Sequence, residues 1–418
     1  MTFGSHGDVL PFLAIGRELA RRGHAVTLAA PPSFAERAAA AGLPFHPLGD
    51  ASAYEAVNAQ ARLWDARAGA GLLFALAVRL VEPALAFVRA ATAGAGDALV
   101  LGSSLSFGAR FAGEAAGLRT VTAHLSPFLV RSRYAPPALP GLAFPAWWPP
   151  ALVDAVQSAR DRFLVDPRRL PPLNALRARL GLPPIVRLTD WLNAADGVLL
   201  LFPDWFAPPQ PDWPPTAVQT GFPRGGRPIA GEAERPALDA RLGAFLDAGE
   251  APIAFTCGTS MEHGHAFFAS AAAACARLGR RGVLLTARAE QVPAQRPASV
   301  HHADYVPLAA LLPRCAALVH HGGVGTLAEA LAAGVPQLVV PGAFDQFDHA
   351  ARIARLGLGA RLARDRLTPG TGAEALARLL AAPDVAAACG AVRARMASAD
   401  GVGAACDALE RMGAAPGR

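Results

Sequence analysis

Short apolar runs alternate with helically spaced apolar positions along most of the chain. Strands are predicted at residues 24–30, 98–101, 120–124 and 197–202 in the first half, and at 253–257, 283–286, 299–305, 317–320 and 337–340 in the second. Helical spacing from Leu10 to Leu19 ends at Gly23, which suits a helix C-cap. Strands that alternate with helices are typical of β-α-β units, in which the sheets are parallel. We therefore predict an α/β fold.

The first strand of this pattern is represented only by residues 2–5. A buried parallel strand ordinarily has about five residues or more, so this stretch is short for its predicted place. We therefore expect that the native start of the protein lies upstream of Met1.

A change of composition divides the pattern into two halves. Residues 207–227 include P-P-Q-P-D-W-P-P and P-R-G-G-R, and dense Pro and Gly prevent the regular hydrogen-bond ladders of helices and strands. The sequence predicts a domain at 1–206, a stiff linker at 207–227 and a second domain at 228–418. Two α/β domains of similar size joined in this way imply a cleft between them.

The composition excludes several classes of chemistry. Of the 418 residues, 52% are hydrophobic and 17% are charged, so the chain can bury large cores. All 39 basic residues are Arg, which excludes P-loop, Schiff-base and kinase mechanisms, because each of these needs Lys. The net charge is +6, but the Arg residues are scattered without aromatic neighbours, which argues against nucleic-acid binding.

Cysteine usage and the apolar segments indicate a cytoplasmic protein. The five Cys residues are widely spaced without a C-x-x-C pair, as expected of reduced core residues. The N-terminus lacks the basic and apolar segments of a signal peptide. The most apolar window, residues 69–88, contains Arg79, Glu82 and Pro83, which disfavours a membrane span. Peripheral contact with an anionic inner membrane is compatible with the basic charge.

The strongest chemical signal is V-H-H-G-G-V-G-T at residues 319–326. Here a predicted strand runs into a glycine-rich turn, and a helix is predicted from Leu327 to Ala333. Glycines allow the backbone to approach an anion, and a helix N-terminus favours a diphosphate. His321 and Thr326 could add donors. A plain tight turn is the alternative, and a metal on the paired histidines is disfavoured because neighbouring side chains on a strand face opposite ways.

A second polar group follows the next predicted strand. The stretch A-G-V-P-Q-L-V-V-P is followed by Gly342, Asp345 and Gln346. Ligands of open α/β sheets bind beyond the carboxyl ends of strands, so this loop and the glycine turn are predicted to share one rim. A carboxylate beside an amide suits a hydroxyl-rich ligand such as a sugar. The alternative for Asp345 is a helix N-cap, and the two roles are compatible.

Together these motifs resemble the donor-binding signature of the family 1 nucleotide-sugar glycosyltransferases, whose GT-B fold has two doubly wound Rossmann-like domains. The match runs over residues 305–346 as aromatic-x-Pro, the His-x-Gly turn, a Glu and a closing Asp-Gln. The resemblance implies that Tyr305 and Val306 contact the nucleotide base and that Glu329 contacts the ribose. Asp345 and Gln346 would contact the donor sugar. The diphosphate would be held by the glycine turn and the helix start, at His321, Gly322, Gly323, Gly325 and Thr326. Thr259 and Ser260 would lie near the diphosphate. The donor would be a dTDP- or UDP-linked sugar.

The start of the chain also resembles this family. Residues 4–11, G-S-H-G-D-V-L-P, are similar to the loop that holds the catalytic base. The base position, three before the proline, is usually His in the family and is Asp8 here, so the resemblance implies Asp8 as the base and His6 as the second candidate. Helix capping is the alternative role for Asp8. The N-terminal domain would bind the acceptor and the C-terminal domain the nucleotide sugar.

Further segments resemble the rhamnosyltransferase subunits of mono-rhamnolipid synthesis. They are R-L-W-D at 62–65, V-E-P at 81–83, and the tryptophan-rich linker with its T-G-F-P. This resemblance implies transfer of L-rhamnose from dTDP-L-rhamnose to a hydroxyl of a hydroxyacyl lipid such as 3-(3-hydroxyalkanoyloxy)alkanoate. Apolar residues at 72–88 and 144–148 could contact such an acceptor, with core packing as the alternative. Two other interpretations are a glucosyltransferase acting on a sterol or polyketide, and a catalytically inactive nucleotide-sugar-binding or partner protein.

The implied reaction is a single in-line displacement with inversion, in which a base removes the proton of the acceptor hydroxyl. The chain has no D-x-D motif, so we predict a metal-independent reaction without a cofactor besides the donor. The leaving diphosphate would be stabilised by the helix N-terminus, His321 and Thr326.

Overall fold

The computed structural model describes residues 1–66, 68–94, 97–140, 142, 144–224 and 238–414. The chain folds into two compact units. Unit 1 comprises the described residues of Met1–Val57, Ala70–Gly226 and Asp400–Arg418. Unit 2 comprises those of Asn58–Gly69 and Arg227–Ala399.

Unit 1 is built on short parallel strands. They are β1 (Leu28–Ala30), β2 (Phe45–Pro47), β3 (Leu99–Ser103), β4 (Arg119–His124), β5 (Gly197–Leu200) and β6 (Ala217–Gln219). Strand β1 pairs with β2, and β3 to β6 pair in that order. The first residues of the chain lie between these two sheets: the Thr2 N–H donates to the Ala29 carbonyl at 3.0 Å, and the Ser103 N–H donates to the Met1 carbonyl at 2.9 Å. The predicted stump of a first strand therefore takes the place of one without being long enough to form a regular ladder.

Helices pack on both faces of the unit 1 strands. The helices of unit 1 are α1 (His6–Arg21), α2 (Ala35–Ala40), α3 (Ala51–Asn58), α4 (Gly69–Arg79), α5 (Val81–Ala91), α6 (Phe107–Ala116), α7 (Pro150–Arg160), α8 (Asp166–Arg179), α9 (Leu188–Leu192) and, from the end of the chain, α17 (Gly401–Ala414). Val100 of β3 belongs to one buried cluster with α5 and α6, whereas Val121 and Ala123 of β4 belong to a second cluster with α1 and α17. This two-sided burial is the reason why the strands are apolar throughout.

Unit 2 contains one parallel sheet of six described strands. They are β7 (Ile253–Thr256), β8 (Gly282–Leu285), β9 (Val300–Ala303), β10 (Ala317–His320), β11 (Gln337–Val339) and β12 (Gly359–Arg361). Their order is β9-β8-β7-β10-β11-β12, so the sheet is doubly wound. All six strands are parallel, and the order in which the chain adds them changes side between β7 and β10. The helices of this unit are α10 (Ala240–Asp247), α11 (His265–Leu278), α12 (Leu308–Leu311), α13 (Val324–Ala333), α14 (Gln346–Arg355), α15 (Pro369–Leu380) and α16 (Pro383–Ser398). The predicted α/β class with parallel sheets is confirmed.

The predicted domain boundaries need three corrections. Helix α17 belongs to unit 1, where the Arg22 guanidinium bonds Asp407 at 2.6 Å and Glu410 at 2.9 Å. Residues 58–69 belong to unit 2 although they come early in the chain. The part of the predicted linker that the structure describes lies in unit 1 and contains β6; residues 225–237 lie outside the described ranges. Each difference depends on contacts between residues far apart in sequence, which composition does not reveal.

The most apolar segment of the chain forms core helices. Residues Gly69–Ala91 are long and apolar enough to cross a membrane by length and composition alone, and the bent pair α15 and α16 passes the same test only when joined. In the structure Gly69–Ala91 forms α4 and α5, whose Phe74, Leu80 and Leu85 are buried in the core of unit 1. Core packing, the alternative given above for residues 72–88, is therefore observed for the buried side chains of this stretch, which are Phe74, Leu76, Ala77, Leu80, Val81, Ala84, Leu85 and Val88.

Candidate functional site

The residues predicted to bind the diphosphate and the sugar follow strands of unit 2 near the point where the strand order changes side, between β7 and β10. The loop after β7 begins at Cys257, the glycine turn after β10 begins at His321, and the loop after β11 contains Gly342 and Gln346. A shallow cleft at these strand ends is lined by residues of all three loops. Ligands of doubly wound sheets bind at this kind of reversal, beyond the carboxyl ends of the strands.

The glycine turn is shaped by His320, whose side chain is fully buried. The Gly322 N–H donates to Nδ1 of His320 at 3.1 Å, so Nε2 carries the proton and donates to Oε1 of Gln337 at 3.0 Å. Burial, followed by the neighbouring His321, lowers the pKa of His320 to about 3. His320 is thus a neutral structural imidazole, and the described residues contain no cluster of three or more potential metal ligands.

His321 packs between two glycines of different loops. A Cβ atom on Gly258 would lie 2.8 Å from Cε1 of His321, and a Cβ atom on Gly323 would clash with Nε2. Burial and then His349 lower the pKa of His321 to about 4, so the imidazole is neutral near pH 7. Its Nδ1 is buried without a hydrogen-bond partner among the described residues. His321 can therefore donate one hydrogen bond to a phosphate oxygen but brings no charge.

Helix α13 begins without a side-chain cap. Its N-cap residue is Gly323, so no side-chain oxygen accepts from the first-turn N–H groups of Val324, Gly325 and Thr326. These N–H groups and the helix dipole form a ready anion site. Gly322 differs from the prediction, because its N–H bonds His320 and its carbonyl accepts from His349 at 2.7 Å. Gly322 shapes the turn and does not offer its N–H to a ligand.

Asp345 and Gln346 have different roles in the loop after β11. Asp345 occupies the N-cap position of α14, which is the alternative role that the sequence predicts for it. Its side chain, however, makes no capping hydrogen bond. Oε1 of Gln346 accepts from the N–H groups of Gly342 and Ala343 at 2.9 and 3.1 Å, and the residue is 4% exposed. The predicted sugar contact of Gln346 is therefore restricted to its Nε2 group, whereas the Asp345 carboxylate is not used for capping.

His349 joins the two loops and was not identified from the sequence. Its ring is fully buried; Nδ1–H donates to the Gly322 carbonyl, and Nε2 lies 3.7 Å from Oδ2 of Asp345. Its position four residues after Asp345 on a helix is the only signal that could have revealed it. His349 thereby couples the glycine turn to the carboxylate that is predicted to hold the sugar.

Trp64 adds an aromatic side chain beside the same loop. Its ring centroid lies 6.1 Å from that of Phe344, and its carbonyl oxygen lies 3.8 Å from the position of a Cβ atom on Gly342. Phe344 has a positive φ of 57°, a strained conformation for a bulky residue, directly before Asp345. Trp64 belongs to the R-L-W-D segment, which local sequence patterns did not connect with this site.

The remaining predicted donor residues follow the order of the strands. Tyr305, 54% exposed, and Val306, buried, come directly after β9. Thr259 is exposed and Ser260 half-buried in the loop after β7, and Thr326 and Glu329 are half-buried on α13. The strand order therefore places the predicted base, diphosphate and sugar contacts in sequence along one edge of the sheet.

The predicted base lies in unit 1, at the start of α1. The N–H and hydroxyl groups of Ser5 donate to Oδ2 of Asp8 at 2.8 and 3.1 Å, which forms a capping box. The alternative structural role of Asp8 is thus present, and it also fixes the carboxylate in position. The His6 ring packs edge-on against Phe34 at 5.2 Å, and burial, followed by the charge of Arg37, lowers its pKa.

Comparison with known proteins identifies the family. Residues 1–134 match the family model of the glycosyltransferase family 28 N-terminal domain, and residues 272–409 match that of the erythromycin biosynthesis protein CIII-like C-terminal domain. The glycosyltransferase GtfE of Amycolatopsis orientalis is 34% identical over 388 residues, covering 88% of this chain and 86% of its own. The chain belongs to the family 1 glycosyltransferases of the GT-B fold.

Other glycosyltransferases show similarity over comparable lengths. The O-mycaminosyltylonolide 6-deoxyallosyltransferase of Streptomyces fradiae is 33% identical over 392 residues, or 86% of this chain and 84% of its own. The solved structure of the spinosyn rhamnosyltransferase SpnG complexed with thymidine diphosphate aligns with a TM-score of 0.66 at 20% identity and covers 97% of both chains. This structure supports the GT-B fold of the present glycosyltransferase.

Proposed function

We propose that this glycosyltransferase moves a 6-deoxyhexose, L-rhamnose in the first instance, from a thymidine diphosphate donor to the hydroxyl of an apolar acceptor. The observation that carries the proposal is the uncapped start of α13 beside the neutral donor His321, which suits a diphosphate. Two similar proteins support the donor class, since one is named a 6-deoxyallosyltransferase and the other is a rhamnosyltransferase complexed with thymidine diphosphate.

The proposed reaction proceeds in one step. Asp8 takes the proton of the acceptor hydroxyl, whose oxygen forms a bond to the anomeric carbon of the sugar. The bond between that carbon and the phosphate oxygen breaks, and its electron pair leaves with the nucleoside diphosphate. The N–H groups at the start of α13 and the Thr326 hydroxyl stabilise the developing negative charge. His6 is the second candidate base, because its lowered pKa keeps the imidazole neutral and able to accept a proton.

The leading acceptor is a hydroxyacyl lipid. Among the described residues, the large apolar side chains that are exposed belong to unit 1, with the exception of Tyr305; they are Tyr134, Trp147, Leu152, Phe163, Leu164 and Val186. Trp147 is 79% exposed and lies in the 144–148 segment that the sequence associates with the acceptor. A side chain exposed to this degree can bury its apolar surface against the acyl chain of such an acceptor.

A polyketide or glycopeptide aglycone is the second candidate acceptor. The similarity to the O-mycaminosyltylonolide 6-deoxyallosyltransferase favours this candidate, because the name of that enzyme indicates a tylonolide acceptor. The match covers 86% of this chain at 33% identity. Such an acceptor would use the same base and the same donor site, so only the product distinguishes the two candidates.

A donor-by-acceptor screen with detection of products by mass spectrometry tests the proposal. dTDP-L-rhamnose and UDP-glucose are each paired with a hydroxyacyl lipid, a macrolide aglycone and a sterol, with and without EDTA. Rhamnosyl product on the lipid is the expected result. Product on the macrolide alone would replace the lipid by the second candidate, and glucosyl product alone would reject the donor class. Tight nucleotide binding without any turnover would indicate an inactive binding protein.

A further inference from the structure

Arg364 lies beside the cleft that contains the glycine turn. It begins the three-residue turn Arg364–Arg366, which follows β12 and therefore lies at the same rim as the loops after β10 and β11. Its Nη1 atom lies 3.2 Å from the position that a Cβ atom of Gly342 would occupy. Arg364 lines the cleft together with His321 and Gln346.

The charges of the cleft single out this residue. A nucleoside diphosphate brings negative charge and gains more when the sugar leaves, yet His321 is neutral and the chain contains no Lys. Among the described residues that line the cleft, Arg364 is the one with a positive charge near pH 7. Its guanidinium has neither a hydrogen bond nor an ion pair within the described ranges, so its donors are available to a ligand.

We propose that Arg364 binds the β-phosphate of the nucleoside diphosphate and stabilises the charge that appears there when the sugar leaves. The proposal rests on the proposed donor class, and it adds a residue that the donor signature does not contain. A planar guanidinium can donate two parallel hydrogen bonds to phosphate oxygens. Its place next to Gly342, on the sugar side of the glycine turn, favours the β-phosphate over the α-phosphate.

The chain offers a matched control in the same turn. Arg366 has the same charge and lies two residues away, but it does not line the cleft. A general electrostatic effect would act through both residues, whereas a direct contact requires Arg364 alone. Arg364→Lys keeps the charge and removes the planar pair of donors.

The experiment measures thymidine, TMP, TDP and dTDP-L-rhamnose binding to the full chain by isothermal titration calorimetry. We expect Arg364→Gln to weaken TDP binding about tenfold to a hundredfold, the range of a hydrogen bond to a charged group. Thymidine and TMP affinities should not change, because neither ligand has a β-phosphate. Arg364→Lys should retain part of the TDP affinity, and Arg366→Gln should behave like the parent protein. Circular dichroism checks that each variant is folded.

Several results would overturn the inference. Equal losses in Arg364→Gln and Arg366→Gln would indicate a long-range charge effect. A loss for dTDP-rhamnose without a loss for TDP would place the contact at the sugar. A parent protein that binds dTDP-rhamnose and TDP while Arg364→Gln binds both equally well would reject Arg364 and leave the proposed function intact. A parent protein that does not bind TDP would reject both.

Discussion

Helices α1 and α13 carry the two halves of the proposed chemistry and begin in opposite ways. The start of α1 is closed by its own side chains, because Ser5 and Asp8 form a capping box. The start of α13 is open, because its N-cap is Gly323 and no side chain accepts from its first N–H groups. A closed start holds a carboxylate in one orientation, whereas an open start leaves N–H groups and the positive end of the helix dipole for an anion. In the proposed function, one kind of element thus provides a fixed proton acceptor in one unit and an anion site in the other.

The largest effect is expected at the closed start. Asp8→Asn should reduce sugar transfer by roughly 10²- to 10⁴-fold, because the amide cannot accept the acceptor proton, while TDP affinity stays unchanged. Initial rates with saturating donor and calorimetric TDP titrations measure the two quantities. Ser5→Ala is the matched variant, since it weakens the capping box and keeps the carboxylate. Normal turnover in Asp8→Asn together with a large loss in His6→Gln would move the base to His6.

The second-largest effect is expected from a substitution that closes the open start of α13. In Gly323→Ser the new Cβ atom clashes with His321, and the hydroxyl offers a cap to the N–H groups that are proposed to bind the diphosphate. We expect TDP affinity to fall by about a hundredfold or more, measured by titration calorimetry. Gly390→Ser on α16 is the control, because a Cβ atom there meets nothing within 4 Å. Unchanged TDP binding in Gly323→Ser would mean that the start of α13 is not the anion site.

The open start is also expected to be sensitive to acid. The folded pKa values of His320 and His321 are lowered to about 3 and about 4, and that of His124 in unit 1 to about 4, in each case mainly by burial. Below about pH 6.5, the ordinary pKa of histidine, the unfolded chain binds protons that the folded protein cannot accept. The free energy of unfolding therefore decreases as the pH is lowered. The fall should begin near pH 6.5 and continue towards pH 4.

Thermal unfolding at several pH values measures this loss. The melting temperature should be lower by roughly several degrees at pH 5 than at pH 7. A melting temperature that does not change over this interval would show that the three imidazoles do not resist protonation in the folded protein.

The smallest effect concerns the loop beside the open start. Trp64→Ala removes the aromatic ring next to Phe344, whose strained backbone precedes Asp345. We expect the affinity for dTDP-rhamnose to fall by roughly fivefold, which is the order of one aromatic contact, while TDP affinity is kept. Trp147→Ala is the control, since Trp147 is highly exposed in unit 1. Equal losses for TDP and dTDP-rhamnose would show that Trp64 supports the whole unit and not the sugar side.

Local patterns predicted most of the strands and the motif of the site. Strand β10 has the predicted bounds, and β3, β4, β5, β7, β8, β9 and β11 differ by a few residues at their ends. The described cysteines are free, and four of the five are buried. Strands β2, β6 and β12 were missed, because none of their three residues is buried, unlike those of the equally short β1 and β11, so they show no apolar run. The glycine turn and Asp345 were found because their chemistry lies within a few consecutive residues.

The sequence by itself determined which residue types stand at the strand ends: glycines that permit a tight turn, a helix start without a cap, and a carboxylate after the next strand. These properties are local, because backbone preference and capping depend on neighbours within about four residues. The tertiary structure alone decided that His320 and His349 hold this turn, that Oε1 of Gln346 is occupied, and that Trp64 and Arg364 stand beside it. Burial, protonation and partners depend on residues that are distant in sequence and become neighbours only when the sheet forms.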